Sequence, residues 1–181
     1  MATPTPKRTK KETGSAAVLL DGWTRKRRTM LRFIRPGDVF CFTRNDGPYY
    51  FGQIISESSM GHFAQILDIR RREPSLTHVE LQKAIPVMKP VVLDSYSLFD
   101  MKSDQDGDWR IIGRYEPVNA TDLEHYFFVY GVPGNWSKVN ATNSVRCAAT
   151  EVEAMVLPPH SPLNNFKVWR EIDSLSHRWA E

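Results

Sequence analysis

The chain has 181 residues, of which 41% are hydrophobic and 25% are charged. These values predict a soluble globular protein of about one ordinary domain. No apolar run approaches the ~20 residues that a membrane-spanning helix needs, and the basic N-terminus lacks the apolar stretch of a secretory signal. With only two cysteines, Cys41 and Cys147, the composition excludes a disulfide-rich scaffold and favours the reducing cytoplasm.

The charge is divided unevenly along the chain. Residues 1–35 hold ten Lys and Arg against two acids, whereas the remainder holds 14 Lys and Arg against 19 acids. A segment of net charge +8 therefore precedes a body of net charge −5, although the whole chain sums to +3. The isoelectric point of the whole chain thus says little about what the body binds.

The first residues offer few side chains that a core could bury. Residues 1–16 mix Pro, Thr, Lys and Ser and are predicted to be a disordered basic tail. Residues 17–181 then form a single predicted domain. Its first part, residues 17–34, is apolar and then basic, and it fits a short helix or an edge strand equally well.

The segment RPGDVFCFTRNDGPYYFGQI, residues 35–54, predicts a β-hairpin. Two β-prone runs, over 38–43 and 49–55, flank the sequence Asn-Asp-Gly, whose residue types tolerate the positive φ of a tight turn. Both faces of these strands are apolar, so we expect the hairpin to be covered on both sides. A third alternating strand, over about 62–69, completes a meander.

Beyond this meander the strand signals are weaker. A strand over 85–93 contains Pro86 and Pro90, which favours the edge of a sheet. Residues 148–157 are ambiguous between strand and helix. Further strands are predicted at 109–115 and 126–130, and residues 135–143 are predicted to be rich in loops.

A helical period is clearest near the C-terminus. Apolar residues recur at helical spacing at Phe166, Trp169, Ile172, Leu175 and Trp179. This spacing predicts a helix over about 164–180 that packs on the sheet. Because the strands do not alternate regularly with helices, we predict an α+β fold: a twisted antiparallel β-sheet with a meander near the N-terminus and a C-terminal helix packed on it.

A search for catalytic and cofactor motifs finds none. The sequence contains no nucleophile elbow, phosphate-binding loop, dinucleotide fingerprint or HExxH zinc motif. Its five histidines are scattered and do not pair at metal-ligand spacing. Cys41 lies in a predicted strand and is interpreted as a buried apolar residue, not a reactive thiol. We therefore expect a protein that is not an enzyme and that has no metal and no cofactor.

The acidic sequence DMKSDQDGDW, residues 100–109, is the sharpest candidate site. It contains four carboxylates followed by an aromatic residue: Asp100, Asp104, Asp106, Asp108 and Trp109. A calcium loop is disfavoured because the terminal bidentate Glu is missing, and a catalytic pair is disfavoured because no nucleophile accompanies it. A contact surface for a basic protein partner and a solvated turn both remain open.

Two further features have a functional and a structural interpretation. Tyr49 and Tyr50 could line a binding face together with Trp109, although aromatic residues on strands more often belong to a core. The basic clusters at residues 7–11 and 25–28 could bind nucleic acid or could only solubilise the chain, and the acidic body disfavours nucleic acid.

The region from residue 36 to about 115 resembles a known family. The sequences PGDVFCF, DGPYYFGQI and GDWRIIGRYEP are similar to those of immunity protein family 26 of bacterial polymorphic toxin systems. The resemblance depends on three groups of residues: Gly37 to Phe40; Gly47 with Tyr50, Phe51 and Gly52; and Trp109 with Ile112 and Gly113.

This resemblance implies a role in bacterial competition. Such proteins are cytoplasmic, are not enzymes, and bind the C-terminal domain of a cognate toxin, often a nuclease, in a stoichiometric complex. The hairpin would then be scaffold, and the acidic loop would bind the toxin as a substitute for phosphate. A nucleic-acid-binding module that uses the basic N-terminal segment is the alternative. Nothing in the sequence sets the oligomeric state.

Overall fold

A computed structural model describes residues 19–102, 107–116 and 123–175. It has an α+β fold, as predicted from the sequence. Within these residues the strands are β1 (Leu19–Leu20), β2 (Asp38–Thr43), β3 (Tyr49–Ser58), β4 (Gly61–Arg71), β5 (Leu76–Thr77), β6 (Val91–Leu93), β7 (Asp108–Arg114), β8 (Phe127–Val132), β9 (Asn135–Asn140), β10 (Arg146–Ala149) and β11 (Pro162–Leu163). The helices are α1 (His78–Lys83), α2 (Glu151–Val156) and α3 (Asn165–Ser174), with a 3₁₀ turn at Leu31–Phe33 and a π-helical turn at Tyr96–Met101.

The main sheet is built on the predicted meander. Its order among the described strands is β11-β6-β4-β3-β2-β7, antiparallel except where β11 pairs with β6. In the turn between β2 and β3, Asn45 and Asp46 take φ values of 50° and 52°. Gly47, which follows them, donates its N–H to the Arg44 carbonyl at 2.9 Å. The turn therefore uses the tolerance of Asn and Asp for positive φ.

Both faces of the meander are covered, as predicted. One face packs Phe40, Phe42 and Trp109 against α3, while the other packs Val39 and Cys41 with residues from α1 and β4. A smaller sheet, of order β10-β9-β8, joins the main sheet through a third apolar cluster. This cluster includes Phe63, Val92, Phe128 and Val139.

Some predicted elements downstream of the meander are wrong. The strand expected over 85–93 is reduced to β6, and helix α1 forms before it because Thr77 and Glu80 make a reciprocal capping box. The segment expected to be loop-rich contains β9, which pairs with strands on both sides. Residues 148–157 contain both alternatives, the end of β10 followed by α2.

The C-terminal helix α3 packs on the sheet as predicted. Asn164 caps it by accepting the Lys167 N–H at 3.1 Å. Val168, Trp169 and Ile172 are buried, whereas Phe166, which the helical spacing assigned to the packed face, is 72% exposed. The predicted disordered tail, residues 1–16, and the predicted end of the helix beyond residue 175 lie outside the described residues.

Candidate partner-binding surface

The two ends of the acidic segment lie close together in space. The π-helical turn ends at Lys102, whose φ of 57° and ψ of 44° reverse the chain direction. The Lys102 ammonium donates to the Asp108 carboxylate at 2.7 Å, where β7 begins. Residues 103–106, which include the candidates Asp104 and Asp106, lie outside the described residues. The contact between Lys102 and Asp108 therefore holds the two described ends of the acidic segment together.

Asp100 is directed into the protein and not toward solvent. Its side chain accepts the Nε–H of Arg28 at 2.9 Å and the backbone N–H of Leu31 at 3.0 Å. The residue is buried, and the Leu31 N–H together with Arg28 holds the pKa of its carboxyl below the usual range. Asp100 thus ties the basic N-terminal segment to the body of the domain.

Asp108 is half-buried between two cations. Its second carboxylate oxygen accepts the Nε–H of Arg110 at 2.9 Å, in addition to the Lys102 contact on the first. Burial alone would raise the pKa of this carboxyl, but the hydrogen bonds from Arg110 and Lys102 outweigh that effect and the pKa is lowered. The charge of Asp108 is therefore compensated inside the protein.

Trp109 is a core residue, with an exposed fraction of 1%. Its ring stacks on Phe42 with centroids 4.0 Å apart and planes 6° apart. Its indole N–H donates to the Asn165 side-chain oxygen at 2.8 Å. Trp109 therefore joins the main sheet to the start of α3.

Tyr49 and Tyr50 are both half-buried on β3. Tyr49 meets the ring of Trp23 edge-on, with centroids 5.0 Å apart, and Tyr50 meets Trp169 edge-on at 5.2 Å. Tyr50 also stacks on Phe42, with centroids 5.7 Å apart. Each tyrosine thus supports the core through its ring contacts and keeps some exposed surface. Contact of a partner with any of the seven predicted site residues stays a prediction.

The sequence interpretation missed an exposed aromatic residue beside this segment. Phe166 directly follows Asn165, and a Cβ atom added at Gly107 would lie 2.8 Å from the Asn165 side-chain oxygen. An exposed aromatic residue therefore follows directly on the helix residue that lies against the end of the acidic segment. A helical projection could have revealed it, because Phe166 is turned about 100° away from Asn165 on a regular helix.

The described part of the basic segment, residues 19–35, is attached to the body of the domain. The Thr29 N–H donates to the Phe99 carbonyl at 2.9 Å, and Arg110 donates to the Trp23 carbonyl at 2.6 Å. Ile34 is buried in the larger core cluster. Lys26 and Arg27 nevertheless remain exposed. The segment therefore combines anchoring residues with a small cationic surface.

The described residues also bear on metal binding, thiol reactivity and membrane insertion. No group of three or more His, Cys, Asp and Glu side chains that could hold a metal ion occurs in the described part of the chain. Burial raises the pKa of the Cys41 thiol, which disfavours the thiolate. None of the described helices has both the length and the apolar character needed to cross a membrane.

Comparison with known proteins identifies the protein family of this chain. A family model described as Immunity protein 26 matches residues 35–139, more than half of the chain, and the chain therefore belongs to that family. The matched region runs from Arg35, three residues before β2, into β9, so it includes the meander, β7 and the acidic segment. The resemblance deduced from the sequence is confirmed. Neither the curated proteins nor the solved structures gave a match.

Proposed function

We propose that this protein neutralises a cognate bacterial toxin, a nuclease, by forming a one-to-one complex with its C-terminal toxin domain in the cytoplasm. The observation that carries this proposal is the family match over residues 35–139. An immunity protein implies a protein partner such as a toxin. Inhibition by binding requires no catalytic group, and it agrees with a buried Cys41 whose thiol is kept protonated.

Electrostatics supports a nuclease as the target. A nuclease must attract phosphate and is commonly basic, while the body of this chain carries net charge −5. Asp104 and Asp106 are proposed to provide the contact because Asp100 and Asp108 have cationic partners within the protein. In this arrangement Asp100, Asp108 and Trp109 position the ends of the acidic segment.

Aromatic side chains are proposed to anchor the same contact. Aromatic residues are enriched at the centres of protein interfaces, where they supply most of the buried apolar area. The exposed Phe166 is proposed to take the role that the sequence assigned to Trp109, and the half-buried Tyr49 and Tyr50 are proposed to extend the surface. A surface of this kind would bury an area of order 1,600 Å² in total.

Calorimetry tests the function directly. The C-terminal domain of the protein encoded immediately upstream is titrated with this chain, and a one-to-one complex with a dissociation constant of about 1 nM or tighter is expected. Co-expression should also abolish the toxicity of that domain. Absence of heat together with absence of protection would refute the proposal.

The acidic contact has its own test. Substituting Asp104 and Asp106 by Asn should slow association and weaken binding, with a reduced dependence on salt, while Asp108 keeps its internal partners. Glu57→Gln is the matched control because Glu57 is an exposed carboxylate at the opposite end of β3 from Tyr49 and Tyr50. Equal affinities for the double variant and the control would reject this contact while leaving the function in place.

Nucleic-acid binding is the second candidate, and the exposed Lys26 and Arg27 favour it. Deleting the whole basic segment would also remove the buried Leu20 and Ile34, so point substitutions are the cleaner test. If this alternative holds, Lys26→Gln with Arg27→Gln should abolish a strongly salt-dependent affinity for an oligonucleotide. An unmeasurable oligonucleotide affinity of the wild-type chain at low salt would exclude it.

A further inference from the structure

Helix α2 lies on the small sheet with its acidic side chains facing inward. The Glu151 carboxylate accepts the Gly134 N–H at 2.6 Å and the Trp136 indole N–H at 2.8 Å. The Glu153 carboxylate pairs with Lys138 and accepts the Thr150 N–H at 2.9 Å. The polar side of α2 is therefore attached to the β8–β9 hairpin.

The opposite side of α2 is apolar and faces solvent. Val152, Met155 and Val156 are 71%, 84% and 74% exposed, and no residue of the helix is buried. Their spacing of three and four residues places them on one face of the helix. This polarity is the reverse of an ordinary surface helix, and clustered exposed apolar residues indicate an interaction site.

The strand before α2 also lacks a partner on one side. Within the described residues β10 pairs only with β9, so it forms an edge of the small sheet. Cys147 and Ala148 are exposed, and β10 has no proline, lysine or register shift that would protect an edge. An extended segment of another protein can add to such an edge through main-chain hydrogen bonds.

We propose that the apolar stripe of α2, together with the β10 edge, is a second docking surface for the toxin domain. This inference rests on the proposed function. The family match ends at residue 139, so β10 and α2 lie outside the matched region. A surface outside the shared region is suited to discrimination among toxins.

The charged side chains around α2 and β10 indicate which partner this surface would bind. Glu151, Glu153 and Lys138 are engaged with one another or with the hairpin, as described above. Arg146 lies over the Tyr130 ring at 5.8 Å and forms no ion pair with any described residue.

Arg146 lies on the face of the small sheet that carries Tyr130, whereas α2 lies on the face that carries Trp136 and Lys138. A strand added to the β10 edge presents its side chains alternately to these two faces. The surface therefore fits an extended segment of the toxin with a carboxylate on the Arg146 side and apolar residues on the α2 side. A second copy of this chain fits less well, because it would add another Arg146 without a free carboxylate from α2.

The test compares α2 with a matched helix. In the stripe variant, Val152→Thr, Met155→Gln and Val156→Thr remove apolar surface while preserving size. Val79→Thr is the control, since Val79 is the second residue of α1, is 47% exposed, and follows the same type of capping box. Thermal unfolding midpoints close to that of the wild type would show that both variants are folded.

The wild-type chain is first titrated with the toxin domain encoded upstream. The stripe variant should then raise the dissociation constant by about tenfold or more, while the control changes it less than about twofold. Arg146→Gln should weaken binding by severalfold and reduce its salt dependence. Lack of wild-type binding would refute the proposed function and, with it, this occupant.

Two other results would overturn this inference alone. Wild-type binding with an unchanged stripe variant would exclude α2 from the interface while leaving the immunity function intact. Sedimentation that shows a wild-type dimer and a monomeric stripe variant, with equal affinity for the toxin, would assign the stripe to a second copy of the chain.

Discussion

Helices α1 and α2 have the same local design and opposite surroundings. Each has six residues, and each begins with a Thr whose side chain and backbone exchange hydrogen bonds with a Glu three residues later. The fourth helical residue is Leu81 in α1 and Ala154 in α2. Leu81 is fully buried in the second core cluster, whereas α2 buries no residue.

The difference shows that capping and packing are independent. The capping box fixes where each helix begins, and it does so without reference to the rest of the fold. The positions of the apolar residues then determine whether the helix packs on the core or presents an apolar surface to solvent. In α1 the last two residues are the exposed Gln82 and Lys83, so its apolar contact is internal; in α2 they are the exposed Met155 and Val156. A helix that does not stabilise the core can be retained for binding.

The largest expected effect on stability comes from substituting the buried leucine of α1. Leu81→Ala should lower the free energy of unfolding by about 2–5 kcal/mol, because it removes buried methyl groups and leaves a cavity. Met155→Ala should change the same quantity by less than about 0.5 kcal/mol, because its side chain is exposed. Urea denaturation of both variants measures the two values.

The same two variants can show that the contrast between α1 and α2 is wrong. If Met155→Ala destabilises the isolated protein as much as Leu81→Ala does, the α2 stripe is packed in solution. The two helices would then play the same structural role, and the proposed second surface would lose its basis.

Local signals account for the parts of the fold that sequence reasoning predicts well. The bounds of β2 are those expected, 38–43, because the Asn-Asp-Gly turn and the apolar runs beside it act over a few residues. Strand β9 was missed because its sequence is polar and it is held by pairing with β8 and β10. The strand state of such a segment is decided by its neighbours and not by its composition.

The candidate site depends even more on distant contacts. The sequence places Asp100 in a polar segment and Trp109 at the start of a strand, and it offers both as contact residues. Arg28 and Asn165, which are 72 and 56 residues away, instead hold them in the protein. No sequence pattern near Asp100 or Trp109 indicates these distant partners. The exposed stripe of α2 was hidden for the same reason, since its apolar residues are also compatible with a core helix.

Substituting the capping threonines should have a smaller effect on stability, and this effect should differ between the two helices. Thr77→Ala should lower the free energy of unfolding by about 1 kcal/mol, because α1 is joined to the core through Leu81. Thr150→Ala should instead loosen α2 alone. Hydrogen exchange of the Ala154 N–H, which donates to the Thr150 carbonyl at 3.0 Å, should accelerate by about fivefold while core amides keep their rates. Accelerated exchange throughout the core would show that α2 unfolds together with the domain.

The smallest effect concerns the two capping glutamates. The pKa of Glu80 and of Glu153 is below the ordinary value of 4.5, so each folded-state carboxylate binds its proton less readily than in the unfolded chain. Their stabilising contributions are therefore complete above the unfolded value and are lost as the pH falls through the folded value. Carbon-13 titration of the side-chain carboxyl groups measures both midpoints.

The causes of these two shifts differ, and this difference tests the orientation of α2. Lys138 is the main cause of the lowered pKa of Glu153. For Glu80, burial has the largest effect and opposes the shift, but the hydrogen bonds from Thr77, followed by Arg71, outweigh it and lower the pKa. Lys138→Met should therefore raise the Glu153 midpoint more than Arg71→Met raises that of Glu80. If Glu153 titrates at its ordinary value in the wild-type chain, Lys138 does not hold the acidic side of α2 against the hairpin. The helix would then be free to turn, and its apolar residues would not form a fixed outward surface.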